Sequence, residues 1–186
     1  MKKIVFIFLF LTACASSKPS NFYTIVPATD IQKINSNRRL FIGVDTVSVA
    51  NYLNRPQIVT KKDSNVEVKI SEIDRWPEPL SNLLQRTIAE NLSNSLNNVL
   101  VKPINSNRKG FDYVIFIELN KLDAKFNDKA YIDLWWFIVD KSGKVVVMKN
   151  FKSDIEIGDN YIDLVEKESK LIERLSIEIA KQISKL

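Results

Sequence analysis

Few side chains in this sequence of 186 residues are suited to covalent or acid–base chemistry. Cys14 supplies the single thiol, which is a nucleophile once it is deprotonated. The sequence contains no histidine, so Ser-His-Asp and Cys-His catalysis and histidine-based zinc sites are excluded. A pair of carboxylates could still hydrolyse a bond, but no motif points to one. We therefore expect no enzyme activity, no cofactor and no metal site.

Cys14 closes a segment that has the order of a secretory signal peptide. Lys2 and Lys3 form a positive start, residues 4–11 are an unbroken apolar run, and Leu11-Thr12-Ala13-Cys14 follows. The apolar run is far shorter than the ~20 residues of a membrane-spanning helix. The last four residues resemble a lipobox, in which the cysteine is acylated and becomes the first mature residue. We predict a signal peptide at residues 1–13; the alternative is an ordinary signal peptide with a chance cysteine.

The charge balance argues against a nucleic-acid partner. The chain has 27 basic and 22 acidic residues, and loss of Lys2 and Lys3 with the signal peptide lowers the formal charge from +5 to +3. The basic residues are mixed with acidic ones, whereas nucleic-acid binding concentrates them on one face. Removing 13 of 186 residues leaves 173, enough for one domain. We expect residues 14–21 to be a lipidated flexible tether and residues 22–186 to be a single α+β domain.

The first part of the domain is predicted to contain strands. Residues 31–39 are polar and rich in Asn and Ser, which indicates a loop. Residues 40–49 are β-branched and partly alternating, which predicts a strand. Two weaker strands are expected at residues 57–60 and 66–70.

Two long amphipathic helices are predicted from the spacing of leucine and isoleucine. The first begins after Trp76-Pro77-Glu78-Pro79, because proline is tolerated only in the first turn of a helix. Its apolar positions recur every three or four residues: Leu80, Leu83, Leu84, Ile88, Leu92, Leu96 and Leu100. Its polar side comprises Gln85, Arg86, Glu90, Asn91 and Asn94. The second begins near Asp163, with the apolar stripe Leu164, Leu171, Ile172, Leu175, Ile179, Ile183 and Leu186.

A meander of strands is predicted between the two helices. Residues 113–119 and 131–139 are apolar at nearly every position, as in strands that are covered on both faces. Asp140-Lys141-Ser142-Gly143 predicts a hairpin turn into residues 144–148, and residues 151–157 either continue that strand or form another edge. The order of elements predicts an α+β (mixed α/β) fold, with one largely antiparallel sheet packed against two long amphipathic helices.

Aromatic and arginine side chains are the candidates for binding. Pro56 fixes its own φ and favours extended backbone at Arg55, so this segment should leave the preceding strand stiffly. Tyr52 and Arg55 are of types enriched at interfaces, although a structural connection with a satisfied arginine is the alternative. Trp76 could equally be a hydrophobic lid over the core. Trp135 and Trp136 are adjacent on a strand and point to opposite faces, so one is expected under a helix and the other is either open to a partner or covered.

Two segments carry a resemblance to a known family. Tyr52-Leu53-Asn54-Arg55-Pro56-Gln57-Ile58-Val59, followed by Arg75-Trp76-Pro77-Glu78-Pro79-Leu80, resembles the "YLDRPQIV … RWAEPL" pair of the ABC-type transport auxiliary lipoproteins. These are the PqiC-like proteins associated with MCE-type intermembrane transport systems. Asn54 departs from the pattern by replacing an acidic residue, which puts a charge-based role there in doubt. Pro77 replaces alanine, which suits a helix start.

The resemblance implies a non-enzymatic role. Family members look like outer-membrane lipoproteins that face the periplasm, assemble into homo-oligomeric rings and dock onto an MCE-domain protein, with a separate permease and ATPase. No aspartate follows Cys14 to signal retention at the inner membrane. The resemblance assigns a partner or oligomer interface, or its supporting turn, to Tyr52, Arg55, Pro56 and Trp76. A periplasmic lipoprotein that holds a lipid or another hydrophobic ligand in its own cavity is the alternative function.

Replacement of the thiol tests the predicted anchor. We expect Cys14→Ser to shift the protein from the membrane fraction to the soluble envelope fraction, because the variant lacks the thiol sulfur through which the lipid would be attached. Immunoblotting of fractionated cells measures the shift. A variant that still sediments with membranes in the same proportion as the parent would refute anchoring through Cys14.

Overall fold

The computed structural model describes residues 18–62, 64 and 66–186. Cys14, the predicted signal peptide and the first part of the tether lie outside the described residues. The elements are β1 (Asn21–Phe22), β2 (Ile34–Val44), β3 (Ser48–Val49), β4 (Gln57–Lys61), β5 (Val68–Arg75), α1 (Leu80–Ser95), β6 (Leu96–Pro103), β7 (Tyr113–Ala124), β8 (Lys129–Asp140), β9 (Val145–Glu156) and α2 (Tyr161–Ile183). Neither helix in the described part of the chain is long and apolar enough to cross a membrane.

The strands form two mixed sheets, which corrects the prediction of one largely antiparallel sheet. The larger sheet has the order β6-β2-β7-β8-β9, with β3 also paired to β7. In it β2 runs parallel to both β6 and β7, whereas β7, β8 and β9 are antiparallel. The smaller sheet has the order β1-β5-β4. The α+β class and the antiparallel meander are confirmed; the parallel pairs arise because α1 carries the chain back across the sheet between β2 and β6.

Helix α1 ends earlier than its leucine spacing predicts. It stops at Ser95, and the expected helical residues Leu96 and Leu100 lie in β6, which the sequence analysis missed. Asn98 adopts φ 67°, a left-handed conformation that asparagine tolerates and a helix does not continue through. The new strand gives residues 34–35 a partner, since Ile34 pairs with Leu96. The predicted loop at residues 31–39 is therefore wrong over most of its length.

The predicted polar side of α1 is also partly wrong, because two of its amides are buried. The Gln85 side-chain nitrogen donates to the carbonyl oxygens of Val44 and Ile104, at 2.9 Å each. The Asn91 amide oxygen accepts from the backbone nitrogen of Ala28 at 2.8 Å, and its nitrogen donates to the Ser176 hydroxyl at 3.3 Å. These bonds satisfy buried polar groups and fix α1 against its surroundings. Two helices are confirmed, but α1 is buried around most of its circumference.

The main core lies between the inner face of the larger sheet and the two helices. Trp136, Ile138 and Leu134 of β8 are at most 1% exposed on that face. The opposite face is open in part, which corrects the prediction that these strands are covered on both faces. Leu100, Trp135 and Met148 are 52%, 40% and 60% exposed there. The two tryptophans therefore divide as the alternation of a strand requires, with Trp136 in the core and Trp135 at the surface.

One carboxyl group in the core, that of Glu168, has no charged partner within the described part of the chain and no hydrogen bond to one of its oxygens. Glu168 of α2 is 2% exposed, and its Oε2 atom has no hydrogen-bond partner among the described residues. Burial raises the pKa of Glu168 to about 8, because the charged form is disfavoured away from water. The group is therefore mostly neutral in the folded protein at neutral pH. In the unfolded chain, with an ordinary glutamate pKa of about 4.3, it would be ionised.

Glu168 should make the protein less stable as pH rises. Because the pKa of Glu168 is higher in the folded state, the unfolded chain loses this proton at a lower pH than the folded protein does. The free energy of unfolding therefore falls as pH rises from about 4.3 to about 8, by at most about 1.4 kcal/mol per pH unit. We expect Glu168→Gln to flatten this slope in chemical denaturation series across that range. Glu166→Gln, an exposed change on the same helix, is the control and should leave the slope unchanged. Equal slopes for all three proteins would contradict the assignment.

Candidate functional site

The smaller sheet brings together the two segments that carry the family resemblance. Strands β4 and β5 are antiparallel, with Gln57 opposite Arg75. The backbone nitrogen of Trp76 donates to the carbonyl oxygen of Pro56 at 2.7 Å. Pro56 and Trp76 are 20 positions apart in sequence, so this bond brings the two segments together at one end of the sheet, where the chain leaves β5 for α1.

The segment before β4 folds as a tight turn with an exposed outer side. The backbone nitrogen of Leu53 donates to the carbonyl oxygen of Ala50 at 2.9 Å, and the buried Leu53 side chain fixes the turn to the core. Asn54 and Pro56 are exposed, and Arg55 is half-buried between them. The Arg55 Nε atom is buried and has no hydrogen-bond partner among the described residues. Arg55 therefore does not have all its hydrogen bonds within the described residues, whereas the alternative of a purely structural connection expected them to be complete.

Tyr52 is held against the larger sheet by a hydrogen bond to a carboxylate. Its hydroxyl donates to Asp123 Oδ1 at 2.7 Å, and Lys61 Nζ lies 3.6 Å from Asp123 Oδ2. Burial, followed by the bond to the negatively charged Asp123, raises the pKa of the Tyr52 hydroxyl well above its ordinary value. The phenol therefore stays protonated at physiological pH and acts as a fixed donor that connects the turn to β7.

Trp76 lies in the core, at 4% exposure. It ends the smaller sheet and directly precedes the turn of prolines from which α1 begins at Leu80, close to the predicted start. Glu78 and Arg86 form an ion pair at the surface of this first turn. In this position the indole covers one end of the core, as expected for the structural alternative. The interface role of Tyr52, Arg55, Pro56 and Trp76 stays a prediction; Pro56 is exposed, Tyr52 and Arg55 are half-buried, and Trp76 is buried.

Asp74 connects β1 and β5 in this region through hydrogen bonds. The sequence did not indicate it as a site residue. Its carboxylate accepts hydrogen bonds from the Asn21 amide at 2.9 Å, the Tyr23 hydroxyl at 3.1 Å and the Ser71 hydroxyl at 2.7 Å. Burial alone would raise the pKa of Asp74, but these donors outweigh burial and hold it below its usual value. The signal available in the sequence was an aspartate directly before Arg75-Trp76, but two of its three donors, Asn21 and Tyr23, lie more than 50 residues away in the chain.

A cleft of about 520 Å³ opens beside Tyr52, between the β4–β5 hairpin and the turn that joins β7 to β8. Its polar lining is dominated by lysine, and Val68 and the two tyrosine rings supply apolar surface. The lining residues are Tyr52, Lys61, Val68, Asn120, Lys121, Asp123, Ala124, Lys125, Asp128, Lys129 and Tyr131. Excess positive charge suits this cleft to an anionic group more than to a purely apolar ligand.

Comparison with known proteins identifies the family. A family model described as the ABC-type transport auxiliary lipoprotein component matches residues 23–180. The protein therefore belongs to the family of ABC-type transport auxiliary lipoproteins, and the prediction of family membership is confirmed. The intermembrane transport lipoprotein PqiC of Escherichia coli K12 is 22% identical over 182 residues, which cover 96% of this chain and 94% of that protein. PqiC of Shigella flexneri matches to the same extent.

Solved structures share the fold. A crystal structure of an uncharacterised protein superposes with a TM-score of 0.74 at 18% identity, covering 89% of this chain and 99% of the other. A crystal structure of a protein from Xanthomonas campestris gives a TM-score of 0.66 at 15% identity, covering 89% of this chain and 100% of the other. At these identities the likeness establishes the architecture alone.

Loss of the Asp74 charge should loosen the smaller sheet. We expect Asp74→Asn to lower the free energy of unfolding by about 1–3 kcal/mol, since a buried charged acceptor with three donors is replaced by a group that is itself partly a donor. Because the folded pKa of Asp74 is lowered, the parent loses this stabilisation as pH falls below about 3.9, and the two proteins should then converge. Denaturant titration at neutral and acidic pH measures both effects. The exposed Asp30→Asn is the control, and an Asp74→Asn protein as stable as this control at neutral pH would contradict the prediction.

Proposed function

We propose that this protein is a lipid-anchored docking subunit of an intermembrane lipid transport system, held through Cys14 on the periplasmic face of the outer membrane. Its domain self-associates into a ring, and the ring abuts the MCE-domain component while a separate permease and ATPase supply the energy. The protein takes no catalytic step and needs no cofactor. Its contribution to transport, and through transport to envelope integrity, is geometric.

The family match over residues 23–180 is the observation that carries this proposal. It is supported by the name of the PqiC relatives, which describes them as intermembrane transport lipoproteins, and by their coverage of nearly the whole chain. The order of Lys2-Lys3, the apolar run and the lipobox-like segment supports anchoring at Cys14. Several acyl chains on one cysteine would hold the domain firmly, since a single chain binds a bilayer only marginally.

Two surfaces of the domain suit the proposed contacts. The open face of the larger sheet exposes Leu100, Trp135 and Met148, and exposed apolar side chains of this size favour association with a second protein surface. The turn at residues 50–56 presents the half-buried Arg55, a residue type that is enriched at interfaces. We assign self-association to the sheet face and docking of the MCE-domain protein to the turn.

The alternative function, a lipid held inside the domain, is less well supported. The space between the larger sheet and the helices is filled by large side chains, including Trp136, Leu84 and Ile88, each at most 1% exposed. The cleft beside Tyr52 lies outside this core, and its lining combines apolar surface with four lysines and two aspartates. A transported lipid therefore has no room between the sheet and the helices as they are packed.

Site-specific crosslinking in intact cells tests the docking role. With a photo-reactive amino acid in place of Asn54, at the exposed side of the turn, we expect capture of the MCE-domain protein. The same amino acid in place of Glu166, on the exposed side of α2, is the matched control and should not capture it. Arg55→Ala, combined with the crosslinker at position 54, should reduce the yield because it removes the guanidinium from the proposed contact.

The identity of the captured proteins decides the outcome. Mass spectrometry of the crosslinked products should find an MCE-domain protein, or a second copy of this chain when the crosslinker replaces Trp135. A captured set with no MCE-type or permease component from either position would overturn the proposed function. Capture of the same proteins from position 166 and position 54 would show that the turn is not the docking surface.

A further inference from the structure

Strand β9 forms one edge of the larger sheet. Its ladder to β8 is regular over residues 147–156, and the backbone nitrogen of Ile157 continues the ladder by donating to the carbonyl oxygen of Asp128 at 3.0 Å. The backbone groups of a strand alternate between its two sides, so the odd-numbered residues of this stretch bond to β8. The N–H and C=O groups of the even-numbered residues point outward from the edge; these residues are Met148, Asn150, Lys152 and Asp154.

The second half of this edge is covered by α2, and the first half is open. The carbonyl oxygen of Asp154 accepts a hydrogen bond from Arg174 of α2 at 3.0 Å, and the same guanidinium nitrogen donates to the Ser153 hydroxyl at 3.2 Å. The outward backbone groups of Met148 and Asn150 form no hydrogen bond with the rest of the described chain. Unpaired N–H and C=O groups on a strand edge can pair with another extended chain.

The two faces of the open edge differ in chemistry. Lys149 lies opposite Trp136, whose side chain is in the core, so Lys149 points to the helix side of the sheet. Met148 lies opposite Phe137 and points to the open face, as Val145 does beyond a bulge. Met148 and Val145 are 60% and 50% exposed. A strand added at this edge would therefore meet apolar side chains on one face and a lysine on the other.

The lysines at this end of β9 are without acidic partners. Lys141, Lys144 and Lys149 have no carboxylate oxygen within 4 Å among the residues that the structure describes. The carboxylate of Asp140, in the turn between β8 and β9, accepts its hydrogen bonds from groups within that turn. Acidic side chains on an added strand would supply the partners that the domain itself does not.

The other edge strands of this chain do not provide an acidic partner strand. In the described sheets, the end strands β1, β4 and β6 contain no aspartate or glutamate. Pairing of β9 with β9 of a second copy would bring the same lysines together, and like charges on opposed strands destabilise the pair. The charge of this edge therefore favours a strand from a different protein.

We propose that residues 145–150 of β9 bind, by strand addition, an extended segment of another protein whose acidic and apolar side chains alternate. The apolar side chains of that segment cover Val145 and Met148 on the open face, and its acidic side chains lie beside Lys149 on the helix side. Main-chain hydrogen bonds hold the segment, and its alternate side chains determine specificity. This contact goes beyond the proposed function, because it requires neither the lipid anchor nor docking at the turn before β4.

Amide hydrogen exchange tests the open edge. In the Cys14→Ser chain from residue 14 onward, the amides of Met148 and Asn150 should exchange at least roughly tenfold faster than those of Val147 and Lys149, which bond to β8. A seven-residue peptide of alternating valine and glutamate should slow exchange at the two outward amides only. A peptide that gives them no protection would overturn the proposal. Protection in the free chain that increases with protein concentration would assign the edge to a second copy and also overturn it.

Charge exchange tests the chemistry of the partner. Lys144→Glu with Lys149→Glu should weaken binding of the valine–glutamate peptide about tenfold and allow a valine–lysine peptide to bind, because ion pairs become like-charge contacts and the reverse. Lys102→Glu with Lys109→Glu changes two exposed lysines near the opposite edge of the sheet and should bind as the parent does. Fluorescence anisotropy of labelled peptides measures the affinities. Equal losses in both double variants, or equal affinity of the parent for both peptides, would contradict the proposal.

A proline separates strand addition from simple contact. The N–H of Met148 does not take part in the ladder to β8, and proline is tolerated on an edge strand where its missing N–H faces solvent. Met148→Pro should therefore remain folded and lose at least roughly tenfold in peptide affinity, whereas the control Met148→Ala keeps the N–H and should lose roughly threefold at most. Edge lysines also serve to prevent strand pairing. If that is their role, the parent does not bind the peptide and the proposal is wrong.

Discussion

A buried carboxylate fixes the region on which the candidate site depends. Asp74 accepts hydrogen bonds from Asn21 and Tyr23 at the start of the described chain and from Ser71 on its own strand. These bonds hold β1 against β5, so they determine where the tether leaves the domain. Since β5 also pairs with β4, the same strand positions the turn that carries Arg55. The start of the domain at β1, the turn before β4 and the β4–β5 hairpin therefore all depend on one small sheet.

The larger sheet supplies the rigid support for this small one. Its inner face is covered by α1 and α2, and the polar contacts of Gln85 and Asn91 fix α1 in one position where apolar packing alone would allow it to slide. Tyr52 then connects the turn to β7 through Asp123. The proposed function requires placement of surfaces relative to a membrane, and the hydrogen bonds that cross between elements fix these surfaces relative to one another.

Local sequence patterns predicted those helices and strands that depend only on residues close together in the chain. The meander of β7, β8 and β9, the start of α1 after its prolines and the division of the two tryptophans all follow from spacing within a few residues. The split into two sheets was not predictable in this way, because strand pairing is a tertiary property. β6 was missed because Leu96 and Leu100 continue the helical spacing of α1, and only the left-handed Asn98 reveals the break. Of the candidate site, motifs indicated the turn and Trp76, whereas two of the three donors to Asp74, Asn21 and Tyr23, are distant in sequence.

In the proposed function, the protein links a bilayer to a transport partner. Native mass spectrometry of the assembly extracted from the envelope in detergent tests this claim most directly, because it reports lipidation, copy number and partners in one measurement. The account predicts a complex of several copies of the chain, each beginning at Cys14 and carrying the mass of its acyl chains, bound to an MCE-domain protein. A single unmodified copy without such a protein would contradict it.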